Sequence, residues 1–126
     1  PTNLQVRLGR VYIQMGTEQY HKNDLDRALS YFLKAVALRG DLPLAYFGIG
    51  NVYFRRNQKS AAADAYEKGI RFDPENASAH FALGTLYKSM GEDSLAVKHL
   101  HISMRDSSNA ALQEASEALL SGPGEL

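Results

Sequence analysis

The 126-residue chain contains no cysteine and no tryptophan, and its charges cancel, with 14 Lys and Arg against 14 Asp and Glu. Without cysteine there can be no disulfide staple, no thiolate metal site and no thiol nucleophile, and the compartment stays open. Zero formal charge removes the basic surplus expected of a nucleic-acid binder, so no nucleic-acid partner is expected. No apolar run approaches the roughly 18 residues of a spanning helix, and no membrane insertion is expected. Pro1 in place of Met suggests an excised or processed piece, from which any targeting signal would be missing. Catalytic signatures are missing as well. Gly48-Ile49-Gly50 lies in a helical pattern with no strand before it, so it is no phosphate loop. His99 and His101 are two apart and face different sides of a helix, His80 holds a packing position and His21 ends a helix. None has the four-residue spacing of a helical zinc pair. Asp64, Glu67, Glu92 and Asp93 are scattered over polar faces, with no acid–base pair among them. Neither an enzyme nor a cofactor or metal site is expected.

What is present is a period. Apolar residues make up 44% and charged residues 22%, the balance of a folded protein, and the length suits one domain. Gly16, Gly50 and Gly84 are spaced by 50 − 16 = 34 and 84 − 50 = 34 residues. Twelve residues after each stands an alanine, Ala28, Ala62 and Ala96, and four further on a large apolar residue, Phe32, Tyr66 and Leu100. Three beyond that is a small one, Ala35, Gly69 and Ser103. Polar breaks separate glycine from alanine in every unit: Lys22-Asn23-Asp24, Arg56-Asn57-Gln58-Lys59 and Ser89-Met90-Gly91-Glu92-Asp93. Asn, Asp and Gly end one helix and cap the next. Leu42-Pro43 and Asp73-Pro74 interrupt helices between units, because the residue before proline avoids the helical region. The pattern predicts seven helices at 3–22, 24–38, 43–56, 59–72, 77–90, 93–106 and 110–120, hence an all-α fold. Each unit is a helix pair of about 12 to 14 residues per helix, too short to stand alone in water. Glycine and alanine at the fixed positions leave room where two helices of a pair approach closely.

A 34-residue period with these glycines, alanines, aromatics and Pro74 resembles the tetratricopeptide repeat. The unit from Pro43 to Asn76 matches at every offset, through Tyr46, Ile49-Gly50, Tyr53, Ala62, Tyr66, Gly69 and Pro74. The first unit has Gln19 beside Tyr20 where one tyrosine belongs, and the third has His80 at the aromatic position and Ser108 at the proline position. The resemblance implies a right-handed α-solenoid of antiparallel helix pairs. It comprises a single domain over 1–120, with repeats 9–42, 43–76 and 77–110, a capping helix 110–120 and a disordered tail 121–126.

The resemblance also implies a protein or peptide partner lying in a concave groove lined by the first helix of each pair. The family's contact positions, spaced three, four and three apart on one helical stripe, fall on Arg10, Ile13, Thr17, Tyr20 and His21 in the first unit. They fall on Leu44, Phe47, Asn51, Phe54 and Arg55 in the second, and on Ser78, Phe81, Thr85, Lys88 and Ser89 in the third. Members of one subgroup, the co-chaperones, clamp a terminal carboxylate with Lys, Asn and Arg. The corresponding places here hold Ile13, Thr17, Gly48, Ser78 and Ala82, so the clamp is missing. The groove residues expected to contact a partner are Ile13, Thr17, Tyr20, Leu44, Phe47, Asn51, Phe54, Arg55, Phe81, Thr85 and Lys88. They describe an apolar, aromatic surface with Asn51 as a backbone partner and Arg55 and Lys88 toward a rim. Phe47 and Phe81 could equally fill space between helices. Leu4, Val6, Leu8 and Val11 make the first helix more apolar than an exposed end should be. A homo-oligomer through that helix is the alternative, along with a regulatory segment of a longer protein.

Overall fold

A computed structural model describes residues 3–106 and 108–122. Among the described residues there are seven helices and no strands, and the chain has an all-α helical-repeat fold. The helices are α1 (Asn3–His21), α2 (Leu25–Leu38), α3 (Pro43–Arg55), α4 (Lys59–Phe72), α5 (Ala77–Ser89), α6 (Asp93–Ser103) and α7 (Ala110–Ser121). Most boundaries fall within a residue of those expected. α6 is three residues shorter, because Met104 caps it and Asp106 instead receives the backbone N–H (3.0 Å) and hydroxyl (2.5 Å) of Ser108. At the other end, α7 takes in Ser121, and Gly122 follows it at φ +69°. The rest of the expected tail, 123–126, lies outside the described residues.

The helix turns repeat with the same period. Asn23, Asn57 and Gly91 have φ of 63°, 59° and 79°. After each, the next N–H returns to a carbonyl five residues back: Asp24 to Gln19 (2.9 Å), Gln58 to Tyr53 (2.9 Å) and Glu92 to Tyr87 (2.8 Å). This left-handed closure suits asparagine and glycine because it brings a Cβ close to backbone oxygen. Side-chain caps open the following helices: Asp24 Oδ1 accepts from the Arg27 N–H at 3.1 Å and Asn76 Oδ1 from that of Ala79 at 2.9 Å. Asn109 Oδ1 accepts from the Leu112 N–H at 3.0 Å. Pro43 opens α3 where its missing N–H costs nothing.

The chain forms two compact units, Pro1–Phe72 and Asp73–Leu126. In the first, α1 packs on α2, α3 on α4, and α2 against α3. Its core joins Ala28, Phe32, Ile49, Val52 and Ala65, with Ile13, Tyr20, Leu25, Leu29, Val36 and Tyr53 packed partly against it. The periodic glycines explain the close pairing. A Cβ on Gly16 would lie 2.7 Å from the Phe32 ring, and one on Gly50 2.7 Å from the Tyr66 ring. Phe32 is held from both sides, since a Cβ on Gly48 of α3 would come within 2.5 Å of it.

In the second unit, a Cβ on Gly84 would meet Leu100 at 2.6 Å, so the same register operates. Leu83 and Leu86 of α5 and Leu100 of α6 are fully buried. α7 is fastened by polar contacts: Ser103 and Ser116 share a buried hydroxyl hydrogen bond of 2.8 Å, and Gln113 donates to the Met104 carbonyl at 3.0 Å. The Lys88 ammonium of α5 donates to the Leu119 carbonyl, where the helix dipole of α7 favours a cation.

Candidate functional site

In the first unit, the facing sides of α1 and α3 leave a cleft of about 200 Å3. Its walls are Ile13, Thr17, Tyr20 and His21 from α1 and Leu44, Phe47, Gly48 and Asn51 from α3, with Phe32 of α2 at its floor. Six residues expected from the sequence, Ile13, Thr17, Tyr20, Leu44, Phe47 and Asn51, thus line one concavity. The others stand elsewhere. Phe54 is about half exposed on α3, while Phe81, Thr85 and Lys88 belong to α5 in the second unit.

Only some of these side chains have free chemistry to offer. The Phe47 ring is 8% exposed, and a Cβ on Gly69 of α4 would come within 2.3 Å of it. It therefore presents an edge to the cleft while its bulk fills the notch that Gly69 leaves. The Thr17 hydroxyl donates to the Ile13 carbonyl at 2.8 Å. One repeat pair later in the sequence, Thr85 donates to Phe81 at 2.9 Å in the same way. Both hydroxyls have spent their hydrogen on their own helix and can only accept.

Asn51, at the matching position of α3, differs. Its carboxamide oxygen accepts the Tyr66 hydroxyl hydrogen at 2.5 Å, which leaves the two Nδ2 hydrogens as donors at the cleft. Burial pushes the Tyr66 phenol well above its ordinary pKa, so this hydrogen bond persists at any physiological pH.

The Arg55 guanidinium does not stand at a rim as an unengaged charge. It lies over the Tyr20 ring, 4.9 Å from the centroid, and donates to the Asn23 side chain, tying α3 to the turn after α1. Lys88 is likewise committed to α7. The cleft is accordingly mostly apolar, with the Asn51 carboxamide as a donor beside the Tyr20 and His21 side chains.

Three wall residues lie beyond the eleven expected to contact a partner, although His21 stands at one of the family's contact positions. Phe32 was assigned to packing, His21 sits edge-on to Tyr20 at 5.8 Å, and Gly48 opens the floor by having no side chain. The signal for Gly48 was a second glycine two residues before Gly50, inside a helix where glycine is costly.

Two family models describe the chain: one described as tetratricopeptide repeat over residues 3–42 and one described as TPR repeat over residues 50–91. The chain is a tetratricopeptide-repeat protein. Among solved structures it is similar to YrrB, described as a TPR protein with an unusual peptide-binding site. That match has 31% identity and a TM-score of 0.74 over 79% of this chain and 51% of that one. It is similar to MamA at 25% identity and a TM-score of 0.74, over 79% of this chain and 58% of that one. The N-terminal domain of stress-induced protein-1 from C. elegans shares the fold at 20% identity and a TM-score of 0.78, over 92% of this chain and 97% of that one. The chain thus spans little more than half the length of YrrB and MamA. No curated protein sequence matches it. Repeats of this family are generally non-catalytic interaction modules, and the match supports a protein–protein interaction scaffold. No helix among the described residues is long and apolar enough to cross a membrane.

Proposed function

We propose that the cleft between α1 and α3 receives an apolar side chain from an extended or helical segment of a partner protein, and that Asn51 donates to that segment's backbone. The observation that carries this reading is the Asn51 carboxamide, held by Tyr66 with its donors at an apolar cleft. A space of about 200 Å3 suits one branched or aromatic side chain, since a cavity of roughly 150 Å3 holds benzene. Recognition rests on apolar contact and backbone pairing. Ile13, Thr17 and Gly48 supply no cation for a terminal carboxylate.

A peptide panel carrying one Leu or Phe, each peptide made with a free and an amidated C-terminus, tests this by fluorescence anisotropy. Asn51→Asp keeps an acceptor for Tyr66 and removes both donor hydrogens, so it should weaken binding about tenfold without altering helix content. Leu44→Asp, on an exposed wall position, should do the same. Amidation should change affinity less than twofold. Loss of binding on amidation, or unchanged affinity in both variants, would overturn the reading.

One observation favours a second role. Leu4, Leu8 and Val11 of α1 are 57%, 41% and 48% exposed and share one face. At the position matching Val11, Ala45 of α3 is fully buried. The apolar face on α1 supports self-association. Sedimentation should then show mass rising with concentration, and Leu8→Glu should abolish the rise; a constant monomer mass excludes it.

A further inference from the structure

Two positions of the repeat meet beneath the cleft, and in one unit they break the pattern of the other two. Thr17, Asn51 and Thr85 stand 34 residues apart, and so do Phe32, Tyr66 and Leu100. Only the middle unit has polar side chains at both positions. The rings of Phe32 and Tyr66 are nevertheless seated alike. A Cβ on Gly16 would meet Cε1, Cδ1 and Cζ of Phe32 at 2.7, 2.9 and 3.0 Å, and a Cβ on Gly50 would meet the same atoms of Tyr66 at 2.7, 2.8 and 3.0 Å. Close packing on the glycine therefore fixes where the end of the ring lies. In Tyr66 that end carries a hydroxyl, and it reaches Asn51, the residue after Gly50 in α3, at 2.5 Å.

This contact orients the carboxamide. Tyr66 is 3% exposed, and a buried hydroxyl hydrogen needs an acceptor. The Asn51 oxygen supplies it; turned the other way, Asn51 would set N–H groups against the phenol and take that acceptor away. Thr17, on the α1 wall, is fixed in the reverse sense. Its hydroxyl donates to the Ile13 carbonyl at 2.8 Å and offers only lone pairs. Tyr20 and His21 on the same wall can give or take a hydrogen, so they set no polarity.

An acceptor on one wall and a donor on the other match one residue of an extended backbone, whose N–H and C=O project to the same side. The N–H precedes the C=O along the chain, so the match works in one direction only. We infer that Tyr66 is a positioning residue that gives the cleft a direction: a partner segment lies with its N-terminal end over α1 and its C-terminal end over α3, its N–H on Thr17 and its carbonyl on Asn51. This direction rests on the proposed occupation of the cleft and adds to it.

Tyr66→Phe keeps the ring in the seat that Phe32 occupies one repeat earlier and removes the lock. It should weaken the Leu peptide of the anisotropy panel about fivefold, with helix content unchanged. In an Asn51→Ala background the same change should have less than about a 1.5-fold effect, because Tyr66 acts through Asn51. A merely structural role would move affinity equally in both backgrounds. Direction is read with the same peptide carrying a diazirine one residue before or one residue after the leucine. On irradiation, mass spectrometry should find the first attached to α1 and the second to α3. The reverse pattern, both helices labelled alike from either position, or an equal effect of Tyr66→Phe in the two backgrounds would overturn the inference while leaving the cleft as the binding site. Asn51→Asp binding as tightly as wild type would instead remove the cleft reading, and the direction with it.

Discussion

Replacing Phe47 with alanine should cost the fold about 3 kcal/mol, the lower end of the range for truncating a buried phenylalanine. The ring contacts Gly69 so closely that a single added carbon there would overlap it, and 92% of its surface is covered. Truncation leaves a void between α3 and α4 that glycine cannot fill. Urea denaturation gives the number, and a double variant carrying Gly69→Leu as well should recover about 1 kcal/mol, because the new side chain grows into the vacated space. A Phe47→Ala chain as stable as wild type would show that the ring does not hold the helix pair. The same packing makes Phe47→Ala a poor probe of partner binding, since lost affinity would follow from lost structure. Leu44 and Asn51, exposed at the same cleft, separate the two effects.

Gly50→Leu should be as damaging, at about 3 kcal/mol or more. The first carbon of the new side chain falls 2.7 Å from the Tyr66 ring. That ring cannot swing aside without breaking its hydrogen bond to Asn51, and Ala62 beside it is fully buried. Ala62→Leu should act in the same way from the other helix. Gly40→Ala is the control: the nearest atoms to its Cβ are at 3.7 and 3.8 Å, ordinary contact distances, so the midpoint should stay within about 0.5 kcal/mol. A thermal or urea series across the three variants checks the register directly. Equal tolerance at Gly50 and Gly40 would refute the view that the periodic glycines exist for close packing.

The fold was legible because the evidence for it is local and repeated. Three glycines and three alanines at a fixed spacing describe the same contact three times, and an error in one unit is corrected by the others. Helix ends were legible where a side chain acts on its own backbone, as Asp24, Asn76 and Asn109 do. The end of α6 was not, because its last turn is lost to a competing bond between Asp106 and Ser108, which periodicity does not register.

For the cleft, the family's contact positions, carried over by the resemblance, gave Ile13, Thr17, Tyr20, Leu44, Phe47 and Asn51, and these stand on the sides of α1 and α3 that line one concavity. Spacing alone did not say which of them were already engaged. A side chain on such a stripe can point outward or lean into a neighbouring helix, and the choice depends on the volume left by a residue far along the chain. Phe47 leans inward because Gly69, 22 residues later, is a glycine where the matching positions hold Ala35 and Ser103.

Arg55 and Lys88 show the same dependence through charge and hydrogen bonding. One is drawn onto Tyr20 and Asn23 and the other onto the carbonyl end of α7, partners set by how the helices pack. By itself, then, the sequence determined the repeat, its register, the helix pairs and the apolar character of the cleft. Those follow from spacing along one helix and from the size of single residues. The tertiary structure alone decided which side chains keep unspent donors and volume. It also decided that two histidines 19 residues apart share one hydrogen bond, because those outcomes depend on distances between helices that no local pattern encodes.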